Sequence, residues 1–456
     1  MDIVWKSLGL ASVLIILIAI WDIVQKKHAI LRNFPVIGHF RYLLEMIGPE
    51  LRQYIVTSNN EERPFSRDER TWIYASSKKQ NNYFGFGTDN DLEQAPNHLI
   101  IKPCAFPLPE LRQGVPGYNS DYAIPCAKVL GAGRDREKAF RPASIVNLSG
   151  MSYGSLSAPA IAAFNQGSRL AECLHNTGEG GVSEYHCRGG DLIWQVGTGY
   201  FGCRDENGHF SLEKFKDCVQ RHPIRAIELK LSQGAKPGMG GLLPAAKVTP
   251  AIARIRGIPL GKDCASPSTH SAFSCVDSML DFVEMLSEES GGLPVGIKSA
   301  VGETVFWQDL AAEMARGKRG VDYIAVDGGE GGTGAAPLVF SDHVALPFKL
   351  GFVRVYREFF EQGLHNQVVF AGSGKLGFPA STVLAFSLGC DLVHIGREAM
   401  MAIGCIQAQR CHTGHCPTGV ATQSRWLMRG LDPTHKAGRV ANYIVSLRKE
   451  ILALSR

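Results

Sequence analysis

The chain has 456 residues, of which 45% are hydrophobic and 20% charged. That composition excludes a largely disordered or fibrous protein and has the length of two or three domains, or of one large barrel with additions. Lys and Arg exceed Asp and Glu by 48 to 43, too small a surplus to argue for nucleic acid, and no basic stripe interleaved with aromatics accompanies it. The 50 glycines cluster in bursts without a three-residue period, which excludes collagen; bursts that follow apolar runs predict loops approaching a ligand closely.

Ile3 to Val24 is apolar apart from Lys6 near one end and Asp22 near the other. As a helix it would measure roughly 33 Å, enough for a bilayer core. Lys6 and Asp22 would sit at the headgroups, with Trp5 and Trp21 as interfacial anchors. No small-x-small cleavage site follows, so the stretch reads as a retained anchor over residues 1–28 rather than a signal peptide. Lys26, Lys27 and Arg32 after it place the remainder on the cytoplasmic side of a single-pass membrane protein.

Residues 29–142 read as a wrapping segment. Tyr42–Ile55 is expected to be a short helix and Asn59–Arg70 a loop. Pro103, Pro107, Pro109, Pro116 and Pro125 argue against long helices between them. From about residue 143 short apolar runs recur, each ending in a polar or glycine-rich turn. They are Ile145–Leu148, Leu170–His175, Leu192–Val196, Ala226–Leu231, Pro294–Ile297, Tyr323–Val326, Val368–Ala371 and Leu392–Ile395. Helical patterns lie between several of them, at Ala158–Gly167, Cys275–Leu286, Trp307–Arg316 and Pro379–Leu388. Eight strands alternating with helices predict an α/β fold, a (β/α)8 TIM barrel over residues 143–425, ahead of an open doubly wound sheet. Residues 426–456 are expected to form a C-terminal helix.

In such a barrel the loops after the strands share one face and carry the chemistry. The seventh and eighth runs end in Gly372-Ser373-Gly374-Lys375 and Gly396-Arg397, turns that suit a phosphate. No Walker A or Rossmann fingerprint opens a helix. Lys230 and Lys298 close the fourth and fifth runs, where a cation can face a reduced flavin or a substrate carboxylate. Glu179, Gln233, Lys236 and Glu330 lie in the glycine-rich loops. Nine of the twelve cysteines are scattered, whereas Cys405, Cys411 and Cys416 crowd together, with Pro417 directly after the last. A reducing compartment with one cluster or metal site fits better than a disulfide scaffold. Three thiols at that spacing suit an iron–sulfur cluster; zinc completed by His412 or His415, or simple buried thiols, are the alternatives.

Four segments then carry a resemblance. Asn176-Thr177-Gly178-Glu179-Gly180-Gly181, Gln233-Gly234-Ala235-Lys236-Pro237-Gly238, Gly331-Gly332-Thr333-Gly334-Ala335 and Cys411-His412 through Cys416-Pro417-Thr418-Gly419-Val420-Ala421-Thr422-Gln423 resemble the synthase domain of glutamate synthase, in that family's order. Asn33-Phe34-Pro35-Val36-Ile37-Gly38-His39 is similar to its membrane-anchored stand-alone branch, the FMN-binding glutamate synthase family proteins. The resemblance implies a TIM barrel holding FMN, and a [3Fe–4S] cluster on Cys405, Cys411 and Cys416. It implies reductive amination of 2-oxoglutarate by ammonia through 2-iminoglutarate, with electrons from ferredoxin or a separate reductase subunit. Lys236, Glu179, Lys230, Gln233 and Arg256 are the catalytic and substrate-binding candidates. Met151, Ser152, Thr177, Gln195, Lys230, Lys298, Gly331, Gly332, Gly372, Gly374, Lys375, Gly396 and Arg397 are the cofactor-binding candidates. The chain departs from the family in lacking a glutaminase domain, so ammonia or an amine is expected to arrive free or from a partner. It also reads Ala371-Gly372-Ser373 where full-length enzymes carry Asp-Gly-Gly, and Ser266-Pro267-Ser268-Thr269-His270 in place of a double-proline, double-histidine loop. Acting on another amine or keto acid, or serving as a non-catalytic electron-transfer subunit, are the alternatives.

Overall fold

The computed structural model describes residues 2–95, 98–110, 113–115 and 118–456, so Pro116 lies outside the described residues. They divide after Glu69 into two compact units.

The first unit opens with a helix, Asp2–Val24, whose stretch Val4–Val24 has mean hydropathy 2.4 and is long and apolar enough to cross a membrane. A short helix, Ala29–Asn33, and a longer one, Gly38–Leu51, follow. The longer helix starts before the expected Tyr42 and passes into a single π turn, Arg52–Val56. Pro49 lies inside it; a proline has no N–H to complete the i→i−4 ladder, and a change of register is one way a helix absorbs that loss. The expected loop Asn59–Arg70 is shortened, because a helix runs from Arg67 to Ser77. Its start is a capping box: the Ser66 N–H donates to Glu69 Oε2 at 2.8 Å and the Glu69 N–H donates to Ser66 Oγ at 3.2 Å.

Among the described residues the second unit holds ten strands. They are β1 Val146–Leu148, β2 His175–Asn176, β3 Leu192–Val196, β4 Ile224–Lys230, β5 Leu242–Leu243, β6 Cys264–Ala265, β7 Val295–Ala300, β8 Tyr323–Asp327, β9 Val369–Ser373 and β10 Leu392–Ile395. Eight close into a parallel barrel in the order β1-β10-β9-β8-β7-β4-β3-β2, and β5 pairs with β6 as a separate antiparallel ribbon. All eight barrel strands fall on the apolar runs. The second run is trimmed: Leu170 ends the helix Ala158–Leu170, and Glu172 turns the chain at φ 51°, leaving two residues of strand. Lys298 is not terminal, since Ser299 and Ala300 continue β7.

Helices at Val276–Glu289, Val305–Arg316 and Pro379–Ser387 match the expected segments within a few residues. The C-terminal helix Pro433–Leu454 begins at an Asp432 cap that accepts the His435 N–H at 2.9 Å. It buries Val440, Ile444, Leu447 and Ile451, the spacing of one helical face. A Cβ on Gly167 would lie 2.6 Å from Val440 Cβ, so the close approach of this helix to Ala158–Leu170 depends on that glycine.

Inside the barrel, strand alternation sorts the residues into layers. Leu174, Ile193, Ala226, Tyr323, Ala325, Val369, Ala371 and Leu392 form a buried apolar cluster with Cys126 and Leu130. Two residues further along the strands the interior is polar: Asn176, Gln195, Glu228, Lys298, Asp327, Ser373 and His394 are all buried.

Candidate functional site

The polar layer is the floor of a site at the C-terminal ends of the strands. Lys230 and Lys298 are register partners on β4 and β7, so both ammonium groups enter the barrel mouth. Glu228 sits one layer below Lys230. Its Oε1 accepts hydrogen bonds from Asn176 Nδ2 and Gln195 Nε2, both at 2.7 Å, while its buried Oε2 has no partner. Burial raises the Glu228 carboxyl above its usual pKa, against the pull of Lys298 and the two amides. Asp327, in contrast, is held below the carboxylate range: burial pushes it up, but Lys298, Ser373 and the Gly234 N–H outweigh it. Lys298 Nζ lies 3.6 Å from Asp327 Oδ2, the Gly234 N–H donates to the same oxygen at 2.9 Å, and Ser373 donates to Oδ1. The Gly234 contact brings two loops backbone to backbone; a Cβ there would meet Gly328 O at 1.8 Å.

Above the floor, Lys230 Nζ donates to Glu179 Oε1 at 2.5 Å and to Gln233 Oε1 at 2.6 Å. Burial would raise the Glu179 pKa, but Lys230, Lys236 and Arg256 together hold it below its usual value, so the group is a carboxylate. Lys236 is buried and donates to Ala335 O at 3.3 Å. Burial, with the nearby Lys230 charge, pushes its pKa down to about 8. Arg256 arrives on the short helix Pro250–Arg256, which starts at a Thr249 cap and stops at Gly257 in the left-handed region, φ 61°. Its guanidinium is buried, donates to Tyr153 O at 3.2 Å and Ser152 Oγ at 3.4 Å, and lies over the Phe201 ring. Of the catalytic candidates named from the sequence, Glu179, Lys230 and Gln233 are joined by hydrogen bonds, and Lys236 and Arg256 lie within electrostatic reach of Glu179.

The mouth is also braced by groups that sequence reasoning missed. Tyr200 Oη accepts the Ala272 N–H at 3.1 Å and lies 3.1 Å from His270 Nδ1; His270 Nε2 donates to the Lys230 carbonyl at 3.0 Å. Burial pushes the His270 pKa down to about 4, so a neutral ring with its proton on Nε2 ties the end of β4 to a loop 40 residues away. Alternation back from Lys230 points to Glu228; no local pattern marks Tyr200 and His270 as partners.

Among the cofactor candidates, Thr177 Oγ1 accepts the Gln195 N–H at 3.1 Å, and Met151 and Ser152 lie in the adjoining loop after β1. Gly331, Gly332, Gly372, Gly374, Lys375, Gly396 and Arg397 gather at the ends of β8, β9 and β10. Gly374 has φ 121°, a conformation that a side chain would strain, and its Cβ would lie 3.2 Å from the Gly328 backbone. Arg397 reaches across to the Glu330 carbonyl. Glycine turns flanked by Lys375 and Arg397, over a floor with unpartnered polar atoms at Glu228 Oε2 and His394 Nε2, fit a flat polar ring system carrying a phosphate.

Cys405, Cys411 and Cys416 lie within electrostatic reach of one another: burial raises Cys405 to about 12 and Cys411 upward, with the neighbouring thiols adding to each. Tyr74 Oη donates to Cys405 O at 2.7 Å, and Lys247 Nζ donates to Cys411 O at 2.9 Å. Among the described residues no three His, Cys, Asp or Glu side chains are drawn close enough to hold a metal ion. Three soft sulfur donors within electrostatic reach of one another fit an iron–sulfur cluster in kind, although their spacing is not that of a closed metal site. His412 and His415 are exposed while Cys416 is buried, which places the imidazoles poorly for a Cys₃His zinc set.

A family model described as "Conserved region in glutamate synthase" matches residues 128–456. The chain belongs to the glutamate synthase family. Its class is that of oxidoreductases acting on CH–NH₂ donors. It is 39% identical to the glutamate synthase large subunit-like protein YerD of Bacillus subtilis, covering 98% of this chain and 91% of YerD. It is 37% identical to the archaeal glutamate synthase [NADPH] of Methanocaldococcus jannaschii over 68% of this chain and 58% of that protein. An archaeal-type glutamate synthase [NADPH] from Thermotoga maritima is 35% identical over 67% of this chain and 57% of its own length. The chain thus spans nearly all of YerD but little more than half of these other relatives.

Proposed function

We propose that the barrel mouth converts 2-oxoglutarate and ammonia into glutamate, consuming two electrons and two protons and releasing water. The observation that carries this reading is the charge balance at the mouth. Lys298 is paired with Asp327, and Lys230, Lys236 and Arg256 act together on the carboxylate Glu179, leaving two positive charges for a dicarboxylate. Lys236 and Arg256 bind the two carboxylates, and burial makes each charge-assisted contact stronger than it would be in water. Glu179, held ionised by Lys230, accepts a proton as ammonia adds to the keto carbon. The carbinolamine loses water to give 2-iminoglutarate. Gln233 and the His270–Tyr200 brace fix the Lys230 ammonium and the end of its strand.

FMN, when bound, supplies the hydride that reduces the imine carbon. Gly372, Gly374, Lys375, Gly396 and Arg397 would hold its phosphate. Lys298, Gln195, Thr177, Ser152, Met151, Gly331 and Gly332 would flank its ring, with Lys230 on the substrate side. Cys405, Cys411 and Cys416 would hold a [3Fe–4S] cluster that relays electrons from ferredoxin or a separate reductase subunit. The apolar helix anchors the protein in the cell membrane, with the barrel in the cytoplasm.

Anaerobically purified full-length protein should contain about one FMN and three irons per chain, by absorbance, metal analysis and EPR. With a chemically reduced donor it should form glutamate from 2-oxoglutarate and ammonium. Absence of both flavin and iron, or exclusive turnover of alkylamines or of a monocarboxylic keto acid, would overturn the reading.

A further inference from the structure

The segment Asn33-Phe34-Pro35-Val36-Ile37-Gly38-His39 has no part in the barrel chemistry. It builds a corner at the end of the apolar helix. Val36 stands at φ 64°, an uncommon conformation for a β-branched residue. This corner lets the Val36 N–H donate to Asp22 Oδ2 at 2.9 Å, while His39 Nε2 lies 3.0 Å from both Asp22 oxygens. Asp22 is fully buried by these contacts. Asp22 is thereby a clamp that fixes the start of the next helix against the end of the apolar one. An apolar recess lined by Leu17, Ile18, Trp21, Val36 and His39 opens between them.

The clamped helix Gly38–Leu51 is amphipathic. Phe40, Leu43, Leu44, Ile47 and Leu51 follow the i, i+3, i+4, i+7 spacing of one face, and all are exposed. Arg41 and Glu45 pair at 2.8 Å away from that face. Lys26, Lys27 and Arg32 stand between the apolar helix and this one, whereas residues 34–56 themselves hold two Arg and two Glu. An uncovered apolar face, joined to a bilayer-length apolar helix through a junction carrying Lys26, Lys27 and Arg32, matches the interfacial zone of an anionic membrane.

We propose that residues 34–56 lie in the headgroup region of an anionic bilayer, with the Phe40–Leu51 face dipping into the acyl boundary. This makes the membrane contact two elements joined at a fixed corner. The inference rests on the anchor reading above. The test introduces Leu44→Trp, and separately Phe40→Trp, into the full-length protein, with Glu45→Trp as the polar-face control. Each is reconstituted in phosphatidylcholine–phosphatidylglycerol vesicles whose lipids are brominated either near the headgroup or near the chain ends. The added emission of Leu44→Trp and Phe40→Trp should be quenched more by the shallow bromine, and Glu45→Trp only weakly by either. If Trp5 and Trp21 are quenched but the added tryptophans are not, the inference falls and the anchor stands; unquenched blue-shifted emission would put the face against protein instead. If no tryptophan is quenched, the anchor falls too.

Discussion

Along the barrel axis the interior changes character within one strand repeat. At the base, Leu174, Ile193, Val369 and Leu392 pack against Cys126 and Leu130, and beyond them Arg136 binds Asp322 and Glu284 at 2.6–3.1 Å. At the mouth, Glu228, Asp327, Lys298, Lys230, Lys236 and Glu179 crowd together, all but Glu179 buried, and Glu228 Oε2 has no partner. The same strands supply both layers. Packing and paired charges at the base stabilise the closed sheet, whereas the mouth holds desolvated charges whose full partners would come with ligand. Stability and chemistry are therefore separable by height in the barrel.

Substitutions can break that separation. The largest effect is expected at the base: Arg136→Met leaves Asp322 buried and uncompensated, and should cost about 3–5 kcal/mol of unfolding free energy in denaturant titration. The kcat/KM of the protein that remains folded should be little changed. An equal loss of kcat/KM would show that base and mouth are one unit.

At the mouth, Lys236→Gln removes a cation from the dicarboxylate site. It should lower kcat/KM for the keto acid by about 10- to 100-fold, the value of a charged hydrogen bond, while thermal unfolding stays within a few degrees. The pH profile sharpens the assignment. With Lys236 near pKa 8 in the free protein, kcat/KM should fall as pH rises through about 8, because the ammonium is lost; Lys236→Arg should move that limb to higher pH.

The smallest effect is expected at Glu228. Its folded pKa is raised, so the native state binds the proton more tightly than the unfolded chain. That contribution is complete below the ordinary carboxylate pKa and fades as pH rises through the raised value. Glu228→Gln keeps an acceptor for Asn176 and Gln195, and should flatten this acid-side slope in stability measured against pH. A slope unchanged by the substitution would mean that Glu228 is ionised in the fold.

The eight barrel strands were legible because each is an apolar run closed by a polar or glycine-rich turn, a signal contained within about ten residues. Glu179, Gln233 and Lys236 were legible for the same reason, since each lies in a short loop with its own motif. Glu228 was not, because it hides inside the run Ala226–Leu231 and its role depends on Asn176 and Gln195 from two other strands. The His270–Tyr200 brace joins residues 70 apart, and the partners of Asp22, Val36 and His39, lie 14 and 17 residues further along the chain.

By itself the amino-acid sequence determined the eight barrel strands and their direction, though not the β5–β6 ribbon, together with the apolar helix and which loops bear charge, all properties of local periodicity and turn chemistry. Only the tertiary structure decided which charges meet. Closing the sheet sets the register between strands far apart in the chain, and register determines whether a buried carboxylate faces a lysine, an amide or nothing.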